Sequence, residues 1–376
     1  MTIGAARGFT REGTAAIEAL FADHIERGWH PGAQLAVYRR GELVLDLVGG
    51  LAAPGQRLTR HHRMLLFSST KPLMAAAVLR LVEQRRVRLD DLVATYWPEF
   101  GSGGKQNATI RHALSHRAGC PQLPADFDLN RVDDWEYAVR QTAAVRAQWE
   151  PGTDVGYHTL TYGWLLGELV RRVDGRMPRQ YLKEELFGPL GIEGEISIGL
   201  ETRDLAKRAP VHAMSEVTRH DPTGAQRATS RVALAYNSEV VARAQIPAAN
   251  GYGSARALAR CYAAFLASAR GERGAPLRAE TMAEATRTQA ETTRDRSQDV
   301  PKRYGLGFYL SGLEGDPFDY HEGAGVFGHS GQQSSVGYAD ARHELAVAYV
   351  TNGLHQPDVV YRRAAEMAAA IRAACA

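Results

Sequence analysis

Strand-forming segments lie toward the two ends of this chain, and a long helix-forming stretch separates them. Near the N-terminus, Ala33 to Tyr38 and Glu42 to Val48 flank Arg39-Arg40-Gly41 and read as a β-hairpin. Near the C-terminus, Tyr304 to Leu310, Ser334 to Ala339 and Leu345 to Thr351 read as strands, with Asp340-Ala341-Arg342-His343 as a hairpin turn between the last two. Between these ends Thr109 caps a short helix ending at Gly119, Asp133-Asp134 opens another, Leu160 to Val173 forms a third stopped by Gly175, and Pro178 starts a fourth. Thr14 to Gly28, Ser254 to Arg270 and Pro357 to Cys375 add a helix near each end and a third before the last strands. The economical fold is α/β: one antiparallel sheet built from both chain ends and flanked by helices, with a mainly helical region inserted. Residues 1–75 and 240–376 are expected to form the sheet domain and 76–239 the helical one, with a site between them. The polar stretch Thr286 to Lys302 is expected to be a mobile surface loop. Residues 200 to 250 resist assignment.

The chemistry points to the first helix after the hairpin. Leu73, Ala76, Ala77, Leu79 and Val82 recur at helical spacing, and Pro72 is tolerated only in a first turn, where its missing N–H has no partner to lose. Ser68 therefore sits at or just before a helix N-terminus, with Lys71 three residues on and on the same face. The lysine amine can reach the serine hydroxyl, and free backbone N–H groups surround the same point. An ordinary N-cap has the same look, because Ser or Thr before an apolar run serves that purpose too. Downstream, Glu150-Pro151-Gly152-Thr153 is a turn leading to Tyr157-His158-Thr159 ahead of a helix. Tyr157 there either presents its phenol to a cleft or anchors the loop. A third candidate is Gly328-His329-Ser330-Gly331-Gln332, which otherwise reads as a flexible glycine-rich connection.

Composition removes several classes of function. Across 376 residues, 45 Lys and Arg face 42 Asp and Glu, a net charge of +3 with the signs interspersed, so nucleic acid is not an expected partner. No apolar run approaches the roughly 20 residues of a membrane span, and the N-terminal residues carry no apolar leader. A protein free of the membrane and resident in the cytoplasm is expected. Cys120, Cys261 and Cys375 are odd in number and widely spaced, which fits neither a disulfide framework nor a zinc site.

The segment Phe67-Ser68-Ser69-Thr70-Lys71-Pro72-Leu73 resembles the active-site segment of penicillin-recognising serine enzymes. Two further elements of that superfamily follow in order. Tyr157, after Trp149-Glu150-Pro151-Gly152-Thr153, matches its tyrosine motif, with Thr159 where many members have Asn. His329-Ser330-Gly331 matches the variants of its Lys-Thr-Gly triplet. Ala113-Leu114-Ser115-His116-Arg117-Ala118-Gly119 and Ile246-Pro247-Ala248-Ala249-Asn250-Gly251-Tyr252-Gly253 resemble further segments of it. The chain is most similar to the β-lactamase-like serine esterases called family VIII carboxylesterases, relatives of class C β-lactamases and DD-peptidases.

The resemblance implies a β-lactamase/transpeptidase-like fold. It also implies Ser68 as nucleophile, Lys71 and Tyr157 as the proton-transfer pair, and the backbone N–H groups of Ser68 and Gln332 as the oxyanion hole. Thr159, His329, Ser330 and Gly331 then face the substrate, with His329 and its strand at a sheet edge and Gly331 removing a side chain that would block the substrate. Which of Lys71 and Tyr157 is the base stays open, and no cofactor is required. A lysine in the third motif would supply a fixed positive charge for the carboxylate of a β-lactam or peptide terminus, whereas His329 is mostly neutral near neutral pH. A small-molecule carboxylic ester is the expected substrate. A β-lactamase or DD-peptidase-type amide hydrolase, a transacylase using the same acyl-enzyme, and a binding protein without turnover are the alternatives. Oligomeric state, acyl chain length and stereopreference stay open.

Three other motifs are set aside. His112 and His116, four apart, lack the Glu of H-E-x-x-H and a third ligand. Gly101-Ser102-Gly103-Gly104-Lys105 resembles half of a phosphate loop, but Gln106 replaces the Ser or Thr, so a surface turn is expected. In Gly328-His329-Ser330-Gly331-Gln332 the last residue breaks the nucleophile elbow, which leaves Ser330 as the internal competitor to Ser68.

Overall fold

The computed structural model describes residues 8–214, 225–313, 318, 325–332 and 334–375. The chain opens with α1 (Arg11–Glu26), β1 (Gly32–Arg39), β2 (Glu42–Ala53), β3 (Gln56–Arg57) and β4 (Met64–Phe67). A 3-10 turn over Ser68–Thr70 leads into α2 (Lys71–Glu83). The middle holds α3 (Val93–Tyr96), α4 (Ile110–Leu114), α5 (Trp135–Ala144), α6 (Thr161–Asp174), α7 (Pro178–Leu182), β5 (Ile196–Ile198), β6 (His212–Ala213), α8 (Ala225–Asn237), α9 (Glu239–Arg243) and β7 (Gly251–Gly253). The C-terminal part comprises α10 (Ala255–Ala269), α11 (Ala279–Thr286), β8 (Ala290–Thr292), β9 (Lys302–Tyr304), β10 (Tyr309–Leu310), β11 (Val326–Ser330), β12 (Ser335–Asp340), β13 (Leu345–Thr351), β14 (Gly353–Leu354) and α12 (Pro357–Ala373).

The two chain ends meet in one nine-stranded sheet of order β3-β2-β1-β13-β12-β11-β10-β9-β8. The junction is the β1–β13 pair, antiparallel over seven residues from Ala33↔Thr351 to Arg39↔Leu345. Alternation along these strands decides what covers each face. Leu35 and Val37 with Val347 and Tyr349 pack toward α1 and α12, around Ile17, Phe21, Met367 and Ile371. Ala36, Ala346 and Ala348 point the other way, toward Leu258, Tyr262 and Phe265 of α10. Alanines on that face let the helix lie close to the sheet. The β1–β2 turn places Arg40 at φ 53° and Gly41 at φ 81°, the geometry of a tight hairpin.

Several local expectations change. The helix after Thr109 stops at Leu114 rather than Gly119, because His116 turns left-handed at φ 62°. The strand expected over Tyr304 to Leu310 is split into β9 and β10. Gly307, at φ 87°, dips toward α2, and a Cβ there would lie 2.2 Å from that of Ala75. The segment 286–302 lies at the surface, most of it exposed, but it is structured: β8 pairs with β9, and Asp295 is fully buried between them. The Gly101 to Lys105 turn hides Lys105 entirely, its ammonium donating to the carbonyls of Ser102 (2.9 Å), Ala143 (3.0 Å) and Val145. Within 200–250 the described residues supply a 3-10 turn (Thr202–Lys207), β6, α8 and α9. Two small sheets, β4-β7-β5 and β14-β6, flank the large one. Among the described residues no helix is long and apolar enough to cross a membrane.

Candidate active site

Strand β4 delivers Ser68 to the mouth of a cavity of about 310 Å³. Phe67 just before it takes φ 45°, uncommon for an aromatic residue, and is held there by its neighbours. Its carbonyl accepts from Thr70 Oγ1 at 2.5 Å, and its ring lies 4.8 Å from that of Tyr236. The hydroxyls of the Ser-Ser-Thr run do not cap α2. Thr70 also accepts from the Gly251 N–H at 2.9 Å, and Ser69 donates to the His329 carbonyl at 3.1 Å and meets Ser335 Oγ at 3.2 Å. The turn is therefore tied to β7 and β11, and the Ser68 hydroxyl is left to Lys71 and Tyr157.

Lys71 is completely buried in the first turn of α2. Its ammonium nitrogen lies 3.2 Å from Ser68 Oγ, 2.8 Å from the Thr159 carbonyl and 3.2 Å from the Ala248 carbonyl. Among the described residues no carboxylate pairs with it, and burial without a counter-charge pushes its pKa well below that of a free lysine. Thr159 thus reaches the lysine through its backbone, while its side chain lines the cavity. Ala248, on the loop before β7, is an acceptor with no signature in residue type.

Tyr157 is buried, its ring centroid 4.6 Å from Lys71 Nζ and 4.8 Å from the ring of His116. Burial pushes its phenol pKa up, against the opposing pull of the Ser68 and Tyr309 hydroxyls. Behind it the His158 N–H donates to His116 Nδ1 at 3.0 Å. His158 itself donates from Nδ1 to the Gly156 carbonyl (2.7 Å) and accepts the Cys120 N–H at Nε2 (3.2 Å). Burial holds His158 down to about 4 and His116 well below its ordinary range, so both are neutral supports. His112 caps α4, outside any set of three possible metal ligands among the described residues.

The third motif lies on β11, an inner strand between β10 and β12 rather than an edge. Its edge character is local: two-residue β10 pairs only with Phe327 and Gly328, leaving His329 and Ser330 past the end of the ladder. His329 is buried and stacked on Tyr309, ring centroids 4.0 Å apart. Its Nδ1 donates to the Ser330 carbonyl at 2.7 Å, and Nε2 has no partner among the described residues. Burial, and then the nearby Lys71 charge, lower its pKa well below the usual range. Gly331 lines the cavity and is also tightly packed. A Cβ there would lie 2.1 Å from Ser335 Oγ, 2.3 Å from the Leu66 carbonyl and 3.0 Å from Phe67 Cβ. Gln332 is exposed at the rim. Ser330 also lines the cavity, but no lysine or histidine bonds to its hydroxyl among the described residues.

Ser68, Tyr157, Thr159, Ser330, Gly331 and Gln332 therefore share one cavity, with Lys71 and His329 buried beside it. The sequence reading missed Tyr309, Ser297 and Gln298 on its wall, and Val360, Tyr361, Arg363 and Ala364 of α12, which also line it. The residues of α12 are legible as a helix face, but not as one facing Ser68.

The family model described as Beta-lactamase matches residues 17–371. The protein called Esterase/beta-lactamase LipL, from Mycobacterium tuberculosis, is 31% identical over 349 residues, 88% of this chain and 79% of that one. The crystal structure of a family VIII carboxylesterase superposes with a TM-score of 0.81 at 28% identity, covering 96% of this chain and 98% of the other. A penicillin-binding protein homologue from Caulobacter crescentus gives a TM-score of 0.79 at 31% identity, with 96% and 98% covered.

Proposed function

The chain belongs to the beta-lactamase family of serine hydrolases, and from that premise we propose that it cleaves carboxylic esters through an acyl-enzyme on Ser68. The observation that carries the reading is the fully buried Lys71 amine, 3.2 Å from Ser68 Oγ and, among the described residues, without a carboxylate to hold its proton. An amine so placed is poised as a neutral base. Tyr157, pushed the other way, keeps its proton and serves as donor. Ser68 Oγ attacks the ester carbonyl as its proton passes to Lys71, and the backbone N–H groups of Ser68 and Gln332 hold the oxyanion. Collapse breaks the bond to the alcohol, which leaves with a proton supplied through Tyr157 from Lys71. Water then attacks the acyl-enzyme, its proton returning to Lys71, and Ser68 is released as hydroxyl.

Preference for an ester rests on His329. A buried, neutral imidazole stacked on Tyr309 offers no fixed positive charge for a substrate carboxylate. On the α12 wall of the cavity Val360, Tyr361 and Ala364 suit a hydrocarbon group, beside Pro357 and the buried Arg363. Lactam cleavage is the second reading, favoured by the relative named Esterase/beta-lactamase LipL.

The test is burst kinetics with p-nitrophenyl butyrate on the wild type and on Ser68→Ala, Lys71→Ala and Ser330→Ala, with nitrocefin alongside. Loss of at least about 10³-fold in kcat is expected for the first two, and little change for the third. Full activity in Ser68→Ala would overturn the reading, and nitrocefin turnover matching the ester would transfer it to lactams.

A further inference from the structure

Asp295 lies in the connection between β8 and β9, fully buried, and no step above uses it. Its Oδ1 accepts three backbone N–H groups, from Tyr157 (3.0 Å), Ser297 (2.8 Å) and Gln298 (2.9 Å), and Oδ2 accepts the Tyr304 hydroxyl at 2.9 Å. Among the described residues no cation comes within ion-pair distance of it, and the guanidinium of neighbouring Arg296 pairs with Asp154 instead. Burying a carboxylate without a counter-ion is costly unless hydrogen bonds replace its water. Four donors do so here, and three of them belong to residues of the cavity wall: Tyr157, Ser297 and Gln298.

We propose that Asp295 is a positioning residue for the reaction, fixing Tyr157 beside Lys71 and Ser68 and locking it in register with the Ser297–Gln298 rim. Tyr157 and Asp295 are 138 residues apart in the chain, and a single carboxylate oxygen holds both Tyr157 and the rim. Rim and proton donor therefore keep one spacing when substrate enters. The carboxylate also acts through space. Tyr157 is faced by Lys71 from α2, His116 from the turn after α4, Tyr162 and Tyr236 from α6 and α8, and Tyr304, Tyr309 and His329 from β9, β10 and β11. Burial keeps both imidazoles neutral, and the Asp295 charge, adding to burial, favours the protonated phenol.

The inference rests on the proposed role of Tyr157, and the experiment separates the two. Asp295→Asn keeps an acceptor for the three amides and removes the charge, while Asp295→Ala removes both. Each is compared with wild type and Tyr157→Phe in kcat, KM, pH–rate profile and thermal unfolding, with kcat expressed per Ser68 titrated by a fluorophosphonate. For Asp295→Asn we expect kcat to fall about tenfold with KM within about twofold, and the alkaline limb of kcat to move to lower pH. For Asp295→Ala we expect a loss of about 100-fold in kcat and a raised KM as the rim loses its tether. An Asp295→Asn enzyme with wild-type kcat and pH profile, beside an inactive Tyr157→Phe, would overturn the inference and leave the proposed function standing. A fully active Tyr157→Phe would remove the premise itself.

Discussion

Lys71 and Tyr157 sit within one ring's width of each other, yet their surroundings push their proton affinities in opposite directions. Burial without a counter-charge among the described residues disfavours the charged ammonium, and burial, with Asp295 adding to it, disfavours the phenolate. The sign follows for activity. On the proposed mechanism, ester hydrolysis is expected to rise with pH as Lys71 loses its proton, along a limb lying below the ordinary lysine value of 10.5. Tyr157 keeps its proton past its ordinary value of 10.0, so the phenol causes no fall below that pH. A pH–rate profile of kcat/KM checks both limbs. Lys71→Arg, permanently charged, should be inactive across the whole range, by about 10³-fold or more. The Ser68–Lys71 pair was legible in sequence because three residues along one helix start bring two side chains together whatever else the fold does. The carbonyls of Thr159 and Ala248 were not, since every residue type carries one.

At the level of elements, the site is held by contacts between strand ends and the 3-10 turn. Ser69 bonds to β11 and Ser335, and Ser335 Oγ donates to the Leu66 carbonyl at 2.7 Å. Gly331 fits into that junction with no space for a methyl group. Gly331→Ala should therefore cost about 2–3 kcal/mol of stability and displace the Gln332 N–H from the cavity, lowering kcat more than it raises KM. Denaturant unfolding and steady-state kinetics on the same preparation would show it. The His-Ser-Gly motif was readable as a motif, and its strand neighbour β12 was readable by alternation. That β11 lies inside the sheet, open only because β10 is two residues long, depends on pairing between segments whose register no local pattern states.

The whole molecule buries neutral imidazoles around its site, which makes its stability pH-dependent. His158 titrates at about 4 in the fold against an ordinary 6.5, and His116 and His329 move the same way. Between those values the unfolded chain binds a proton that the folded one does not. Stability is therefore full above pH 6.5 and is lost as pH falls toward 4, by about 3 kcal/mol for His158 alone. Denaturant midpoints measured from pH 7 to 4.5 should fall steadily, and His158→Gln should flatten part of that slope. The closure of one sheet from both chain ends and the Ser68-Lys71 spacing were readable from the sequence, because periodicity, capping and proline register act within a few residues, whereas Tyr157 and His329-Ser330-Gly331 were singled out only by resemblance to penicillin-recognising serine enzymes. Only the tertiary structure decided that Asp295 accepts the Tyr157 N–H and the Ala248 carbonyl the Lys71 ammonium, that α12 lines the cavity, and that His329 is buried. Burial and charge balance at a point are sums over distant segments, and no single stretch of chain contains them.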